Sequence, residues 1–167
     1  MKYSEVVRIR ALEHKLLYRF KNVNAYPVLC LNGCRIENIK YNDSYANLIL
    51  KDGFLKKTGE RTKDAMLSIE GGDEVVSVFL TEVIPKENQF PLFRTRVLDI
   101  DEFIKMLSKC EVEIAEEYHS ANRIILRGEI FRPAKFLELS HHLHLFELQF
   151  RSKDDINMYY YYNDNNK

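Results

Sequence analysis

Apolar residues recur at helical spacing near the start of the chain and alternate with polar residues over much of the remainder. In residues 4–21, six apolar side chains fall on one stripe of a helix with 3.6 residues per turn: Val6, Ile9, Leu12, Leu16, Leu17 and Phe20. Ser4 can serve as the N-cap that satisfies a backbone N–H of the first turn. This pattern predicts an amphipathic N-terminal helix over residues 4–21.

Antiparallel β hairpins are predicted next, up to about residue 90. Asn32-Gly33 is a dipeptide that tolerates the positive φ angles of a two-residue turn, and Gly71-Gly72 suits a second turn. The segments around these turns have strand patterns, at residues 26–31, 34–40, 45–51, 65–70 and 74–84. The first hairpin would direct Cys30 and Cys34 to opposite faces, so we expect no disulfide between them.

From residue 91 onward, strand and helix patterns alternate. Asp99 followed by Glu102 resembles a capping box that begins a helix, and Pro133 is typical of the first turn of another. The second helix would bury one stripe of side chains: Phe136, Leu139, Ser140 and Leu143. The predicted order is strand 93–98, helix 99–109, strand 112–118, strand 123–131, a helix from 133, and strand 146–151. This β-α-β-β-α-β order predicts a ferredoxin-like arrangement.

The whole chain is therefore predicted to be a single α+β domain, residues 1–167. It would consist of an N-terminal amphipathic helix with antiparallel β hairpins (1–90), a ferredoxin-like βαββαβ half (91–152) and a tail (153–167) with a strand pattern at 156–162. The central expectation is that two β-α-β units after residue 90 share one sheet whose open face carries opposite charges. Four apolar side chains should then face the core: Val112, Ile114, Ile124 and Leu126.

The open face of the predicted sheet carries charges of both signs. The strand pattern places nine such residues there: Arg94, Arg96, Glu111, Glu113, Glu117, Arg127, Glu129, Glu147 and Arg151. Recognition of single-stranded RNA on a sheet face requires aromatic side chains for base stacking, and glutamates repel phosphate. We therefore predict cross-strand ion pairs on this face and no RNA-binding surface.

Composition narrows the possible classes of protein. The chain contains 25 basic and 25 acidic residues, so no net charge favours nucleic acid or an anionic membrane. Its longest apolar run, residues 158–162, is too short to span a bilayer, and charged residues interrupt the first fifteen positions. Three cysteines without a C-x-x-C motif indicate thiols rather than disulfides or zinc ligands. We expect a soluble, intracellular protein in the cytoplasm.

Gly71-Gly72-Asp73-Glu74 spells four letters of the signature that diguanylate cyclases carry on a β-hairpin. The fifth position is Val75 instead of an aromatic residue. The segment upstream, back to Asn42-Asp43, has strand patterns where that family has helices. We interpret the four residues as a tight turn with acidic corners.

Histidines and a carboxylate are clustered at Glu138, His141, His142 and His144. Glu138 and His141 have the one-turn spacing at which a helix presents two metal ligands, but a complete site needs ligands from other elements. On the predicted helix they fall opposite Phe136, toward water. We therefore predict no metal site, no cofactor and no catalytic residue.

Two features could contact a partner. Arg8, Lys15 and Arg19 lie close together on the polar face of the N-terminal helix, and the first 22 residues hold six basic and two acidic side chains. The run Tyr159, Tyr160, Tyr161 and Tyr162 offers large amphipathic rings of the kind enriched at interfaces. Each also has a purely structural interpretation, as a solvated helix face or an edge strand.

These observations predict a non-enzymatic protein-interaction module, such as an inhibitor, immunity-type protein or adaptor, whose partner is an unidentified protein. An alternative is phosphate or nucleic-acid binding through Arg8, Lys15, Arg19 and the basic loop at residues 56–63. A third hypothesis is a metal-dependent enzyme that would use Glu138, His141 and Glu74.

Overall fold

A computed structural model describes residues 18–22, 29–42, 45–71, 75–133, 135 and 139–163 of the chain. Within these residues the protein is mostly β, with twelve strands and one short helix. The strands are β1 Tyr18–Asn22, β2 Leu29–Cys30, β3 Cys34–Asn42, β4 Tyr45–Leu50, β5 Leu55–Lys56, β6 Lys63–Glu70, β7 Val75–Ile84, β8 Leu92–Leu98, β9 Glu111–Ser120, β10 Arg123–Phe131, β11 Leu143–Arg151 and β12 Asn157–Asn163. The helix, α1, spans Ile100–Leu107.

Ten of the strands form one antiparallel sheet in the order β1-β12-β6-β4-β3-β9-β10-β11-β7-β8, and β2 pairs with β5 in a second, two-stranded sheet. Strand β3 joins the two halves of the large sheet. Its first residues, Cys34 and Arg35, pair with β9, and from Ile36 onward it pairs with β4. The two halves share one large hydrophobic core on one face of the sheet, which we call the inner face. On the opposite, outer face of β6 and β12, Met66, Tyr159 and Tyr161 form a smaller buried cluster.

Two β-bulges keep the apolar residues on the inner face. In β3 the pairing shifts between Ile36 and Asn38, so Cys34 and Ile36 before the shift and Ile39 after it are all buried. In β9 the pairing shifts at Ala115, because Ile114 lies opposite Gly128 but Glu116 lies opposite Arg127. An extra residue in a strand reverses the alternation of its side chains.

Gly128 makes the second bulge possible. A Cβ atom at this position would lie 1.8 Å from the carbonyl oxygen of Glu113 and 2.8 Å from the Phe146 ring. Only glycine leaves room for this close approach of β9 and β10.

Helix α1 covers part of the inner face. Asp99 is its N-cap and accepts a hydrogen bond from the Asp101 backbone N–H at 2.8 Å. The helix buries Phe103, Met106 and Leu107, and the Phe103 ring packs on Phe146 with 5.7 Å between centroids. The predicted helix after Asp99 is thus confirmed.

The ferredoxin-like prediction is wrong. Strands β10 and β11 pair directly and antiparallel, whereas the two strands of a β-α-β unit run parallel. The described residues between them, among them Pro133 and Leu139, are not helical, and Leu143 belongs to β11. Leu139 precedes β11 and Leu143 begins it, so their helical spacing does not reflect a helix, and in β11 His144, Phe146 and Leu148 alternate inward. Phe136 lies outside the described residues.

The predicted α+β class is wrong for the same reason, and the N-terminal helix is wrong at its end. Residues Tyr18–Asn22 form β1, which pairs with β12, while residues 4–17 of the predicted helix lie outside the described residues. Intrinsic helical periodicity does not prevent a segment from adding to a sheet that offers an unpaired edge.

The strands predicted from residues 29 to 84 exist, but the predicted hairpins do not. The Asn32-Gly33 turn is present, with Gly33 at φ 70° and the Cys34 N–H donating to the Leu31 carbonyl at 2.9 Å. Strand β2 nevertheless pairs with β5, not with β3. Likewise, β6 pairs with β4 and β12, and β7 pairs with β8 and β11. The Gly72-Asp73-Glu74 part of the second turn lies outside the described residues.

The expectation of two β-α-β units after residue 90 is wrong, but the inward direction predicted for four apolar side chains in this region is confirmed. Val112, Ile114, Ile124 and Leu126 are all buried on the inner face. Strands β4, β8, β10, β11 and β12 also fall where alternation predicted them.

We predict that Gly128→Ala lowers the free energy of unfolding by about 2 kcal/mol, because the new methyl group must displace the backbone of β9. Glu129→Ala, on the same strand but half-exposed, is the control and should change it by less than about 0.5 kcal/mol. Urea unfolding of both variants measures the difference. Equal stability of the two variants would show that the bulge adapts to a side chain.

Candidate functional site

Among the elements whose burial the structure describes, β8, the last strand of the large sheet, is the most exposed. Its register pairs Leu92 with Ile84 and Leu98 with Val78, so one side of the strand is bonded to β7. On its other side the described residues provide no further strand. Every residue of β8 from Leu92 to Val97 is exposed, and Leu98 alone is buried. The strand therefore offers a row of backbone N–H and C=O groups to solvent.

The outer face beside this edge is apolar. Phe93 and Val97 are 59% and 68% exposed. The register sets Phe93 opposite Val83, which is itself opposite Leu143, and sets Val97 opposite Phe79. Thr81 and Thr95 lie between these pairs and share a hydrogen bond of 2.9 Å between their hydroxyl groups. We call Phe79, Val83, Phe93, Val97 and Leu143 the edge patch.

The inner side of the same edge is charged. Arg94 and Arg96 alternate with the edge-patch residues and have side chains that are 71% and 55% exposed. Their ion pairs are long, with 3.7 Å from Arg94 to Glu82 and 3.7 Å from Arg96 to Glu102 of α1. A cleft of about 280 Å³ separates the two arginines from the segment around Leu139 and Ser140.

Glu82 holds that segment against the sheet. It accepts hydrogen bonds from the Ser140 hydroxyl and from His142 Nδ1, the second at 2.7 Å. These hydrogen bonds lower the pKa of Glu82, and the positive charge of Arg94 adds to the effect. The Ser140 hydroxyl donates to the carboxylate and lies 3.4 Å from His142 Nδ1, which itself contacts Glu82. The hydroxyl proton is therefore directed to Glu82 and not to the histidine that would have to act as the base.

The middle of the outer face carries paired charges, as predicted. Arg127 bonds Glu147 across two strands and lies 5.3 Å from the centre of the Tyr118 ring. The Glu147 contact raises the pKa of Arg127. Burial raises the pKa of Glu147, but hydrogen bonds from Gln149 and Arg127 outweigh it and lower that pKa overall. This part of the outer face has no aromatic row for stacking bases.

A cavity of about 510 Å³ lies between the end of α1 and strands β3 and β9. On its rim, the Glu111 carboxylate pairs with Arg35 at 3.3 Å and with Lys51 at 3.6 Å. Arg35 also contacts Asp52 and Glu113, at 3.5 and 3.8 Å. The lining also includes Glu37, Lys109 and Arg132, so four basic and two acidic side chains surround the cavity.

The Asn32-Gly33 turn gathers another polar cluster. Glu117 turns inward after the bulge at Ala115, and its Oε1 accepts the Leu31 N–H at 3.1 Å. Its Oε2 lies 2.9 Å from His119 Nε2, while His119 Nδ1 lies 2.9 Å from Met158 Sδ. The prediction that Glu117 lies on the open face is therefore wrong, because alternation alone does not show a bulge.

The thiols of this cluster are poor nucleophiles. Cys34 is buried, and its Sγ donates to the Gly53 carbonyl at 3.1 Å. Burial raises the pKa of Cys34 to about 11 and also raises that of half-buried Cys30. Arg61 Nη1 donates a long hydrogen bond of 3.8 Å to Cys34 Sγ, which lowers the pKa of Cys34 less than burial raises it, and Arg61 Nη2 donates to the Gly33 carbonyl at 2.9 Å. The hydrogen bonds of this cluster stabilise the Asn32-Gly33 turn and do not activate a thiolate.

The residues that the sequence proposed as a contact surface belong to two parts of the chain. Arg8 and Lys15 lie outside the described residues, and Arg19 lies on β1. Tyr159, Tyr160 and Tyr161 are buried, and Tyr162 is partly buried, because β12 is an interior strand between β1 and β6. The tyrosine run is thus a core element, with Tyr160 packed on Phe54 at 5.1 Å.

The histidine cluster is dispersed. Glu138 lies outside the described residues, His141 is exposed and contacts Arg132, and His142 contacts Glu82. His144 is buried, with Nδ1 2.8 Å from the His142 carbonyl. Across the described parts of the chain, no three His, Cys, Asp or Glu residues are placed to hold a metal ion.

Sequence reasoning missed the β8 edge because it treated residues 93–98 as a strand inside a ferredoxin-like sheet. One signal was available. Phe90, Leu92, Phe93 and Val97 place large apolar residues around Pro91 without the strict alternation of a strand with one buried face.

Comparison of the chain with models of known protein families, with curated proteins and with solved structures gives no significant match. Among the described residues, no helix is long and apolar enough to cross a membrane.

We predict that brief treatment of the native protein with iodoacetamide at pH 8 modifies Cys30 and spares Cys34 and Cys110. A pKa of about 11 reduces the thiolate fraction of Cys34 about a hundredfold relative to the ordinary value, and burial blocks access to both spared residues. Peptide mass spectrometry locates the label, and urea-unfolded protein, modified at all three cysteines, is the control. Labelling of Cys34 as fast as Cys30 would contradict the packing of the turn.

Proposed function

We propose that this protein is a non-enzymatic interaction module that binds a strand of a partner protein along β8. The observation that carries the proposal is the exposure of six consecutive residues of an edge strand, on both of its faces, next to an apolar outer surface. Strand addition uses the unpaired backbone groups for affinity and adjacent side chains for specificity.

The edge patch supports this function over a purely structural role. Edge strands of monomeric proteins are commonly short, bulged, or covered by a loop or helix. Strand β8 has seven residues, pairs with β7 without a register shift, and exposes Phe93 and Val97 on one face. Large exposed apolar groups in one area are typical of binding surfaces.

The chemistry of the described residues supports a binding role more than an enzymatic one. Ser140 and His142 both bond Glu82, and the two thiols near the Asn32-Gly33 turn have raised pKa values. We further propose that the protein acts in the cytoplasm, because Cys34 is present as a thiol that donates a hydrogen bond.

We predict that the double variant Phe93→Lys/Val97→Lys loses its partner without losing its fold. Both side chains are exposed, so lysine is tolerated in the folded chain but opposes strand pairing at an edge. The tagged full-length protein is cross-linked in its native cells, and co-purified proteins are quantified by mass spectrometry. We expect one stoichiometric protein partner with the wild type and at least about a tenfold loss with the double variant.

Phe131→Lys is the matched control, since Phe131 is 48% exposed on β10, away from the edge patch. Circular dichroism checks that all three proteins are folded. A partner that the double variant retains at the wild-type level, or the absence of any stoichiometric protein, would contradict the proposal.

A further inference from the structure

We infer that the strand received by β8 carries acidic side chains opposite Arg94 and Arg96 and apolar side chains at the alternate positions. This inference rests on the proposed function and names the chemistry of the partner. It follows from two observations. One face of β8 is charged and the other is largely apolar, and pairing of β8 with a second copy of itself would bring arginines together.

The two faces of β8 fix the alternation required of the partner. Side chains directly opposite one another in an antiparallel pair lie on the same face of the sheet, with Cβ atoms about 5 Å apart. An added strand therefore places every second residue beside Arg94 and Arg96, and the intervening residues beside Phe93, Thr95 and Val97.

The arginines favour carboxylates at the first set of positions. Arg94 is flanked by Glu82 on β7, but that carboxylate also accepts hydrogen bonds from Ser140 and His142. Arg96 lies opposite Leu80 on β7 and reaches Glu102 only at 3.7 Å. Both guanidinium groups extend into solvent, so each can donate hydrogen bonds to a second carboxylate on the open side of the strand.

The same arrangement already exists elsewhere in this sheet. Arg35 on β3 contacts Glu113 on β9, the residue opposite it in the register, and also Asp52 and Glu111. On the outer face, Arg127 and Glu147 pair across β10 and β11. Cross-strand pairing of arginine with glutamate is thus the way this protein joins charged positions of neighbouring strands.

A second copy of the chain does not meet the requirement. In an antiparallel β8 pair centred on Thr95, Arg94 lies opposite Arg96 of the second copy, and the reverse contact repeats it. A pair centred on Arg94 places Arg94 opposite Arg94 of the second copy. A pair centred on Arg96 does the same for Arg96. Like charges directly opposite one another destabilise a strand pair, so the registers with most overlap oppose self-association.

The occupant that fits is therefore a strand of a different protein, with alternating acidic and apolar residues. The acidic side chains would lie on the inner side, next to the cleft at Leu139 and Ser140, and the apolar ones would extend the edge patch. Charge complementarity of this kind fixes the register of the added strand as well as its identity.

Synthetic peptides test this inference with the full-length protein. The probe is a fluorescent, end-capped peptide of seven residues that alternates valine with glutamate. Two matched peptides replace glutamate by lysine or by serine. Fluorescence anisotropy should show binding of the glutamate peptide about tenfold tighter than of the serine peptide, and weaker still for the lysine peptide, because two cross-strand charge pairs change sign.

A charge exchange gives the sharper result. The double variant Arg94→Glu/Arg96→Glu should reverse the order and bind the lysine peptide best, whereas Lys57→Glu/Lys105→Glu, the same change of charge at exposed positions outside β8, should keep the wild-type order. Reversal in the first variant alone supports the inference. Reversal in both variants would overturn it, because net charge would then explain the preference.

The remaining outcomes separate this inference from the function on which it rests. If all three peptides bind equally and the Phe93→Lys/Val97→Lys variant binds none of them, strand addition stands and the acidic partner is overturned. If no peptide binds, the acidic partner strand on β8 is overturned. It is also overturned if light scattering shows a dimer of the wild type that the Phe93→Lys/Val97→Lys variant does not form.

Discussion

The structure depends on burying one face of a ten-stranded sheet with very little helix to cover it. Within the described residues α1 is the one helix, and it covers only the area around Phe103 and Phe146. The sheet must therefore supply most of the cover itself, and its two halves contribute to a single core. Strand β3 makes this possible because its first residues pair with β9 and the rest pairs with β4.

Local patterns predicted the elements well and their partners poorly. Alternation located β10 and β11, and the Asp99 cap located α1, because these signals depend on residues close in sequence. Pairings such as β1 with β12 or β3 with β9 depend on burying the shared face, which no short window contains. The Asn32-Gly33 turn forms as predicted, yet the strand before it pairs with β5.

The faces of the strands were predicted only in part. Arg94 and Arg96 were expected on the open face, but they lie on the same side of β8 as the buried Leu98. Val112 and Ile114 face inward as their spacing indicates, but Ala115 adds one residue, so Glu117 turns inward and Tyr118 outward. Gly128 was the sequence signal for this change, since a glycine inside a strand often marks a bulge. The tyrosine run misled for a different reason, because Tyr160 and Tyr161 are buried by their place in the strand order, which sequence did not show.

The position of β12 has a consequence for biosynthesis. It lies between β1 and β6, although every other described strand precedes it in the chain. While the polypeptide emerges from the ribosome, β6 consequently keeps one edge unpaired and Leu67 and Ile69 lack the cover of Tyr160 and Met158. The pairing of β6 with β12 is a non-local contact of the kind that forms slowly and leaves a nascent chain open to chaperones.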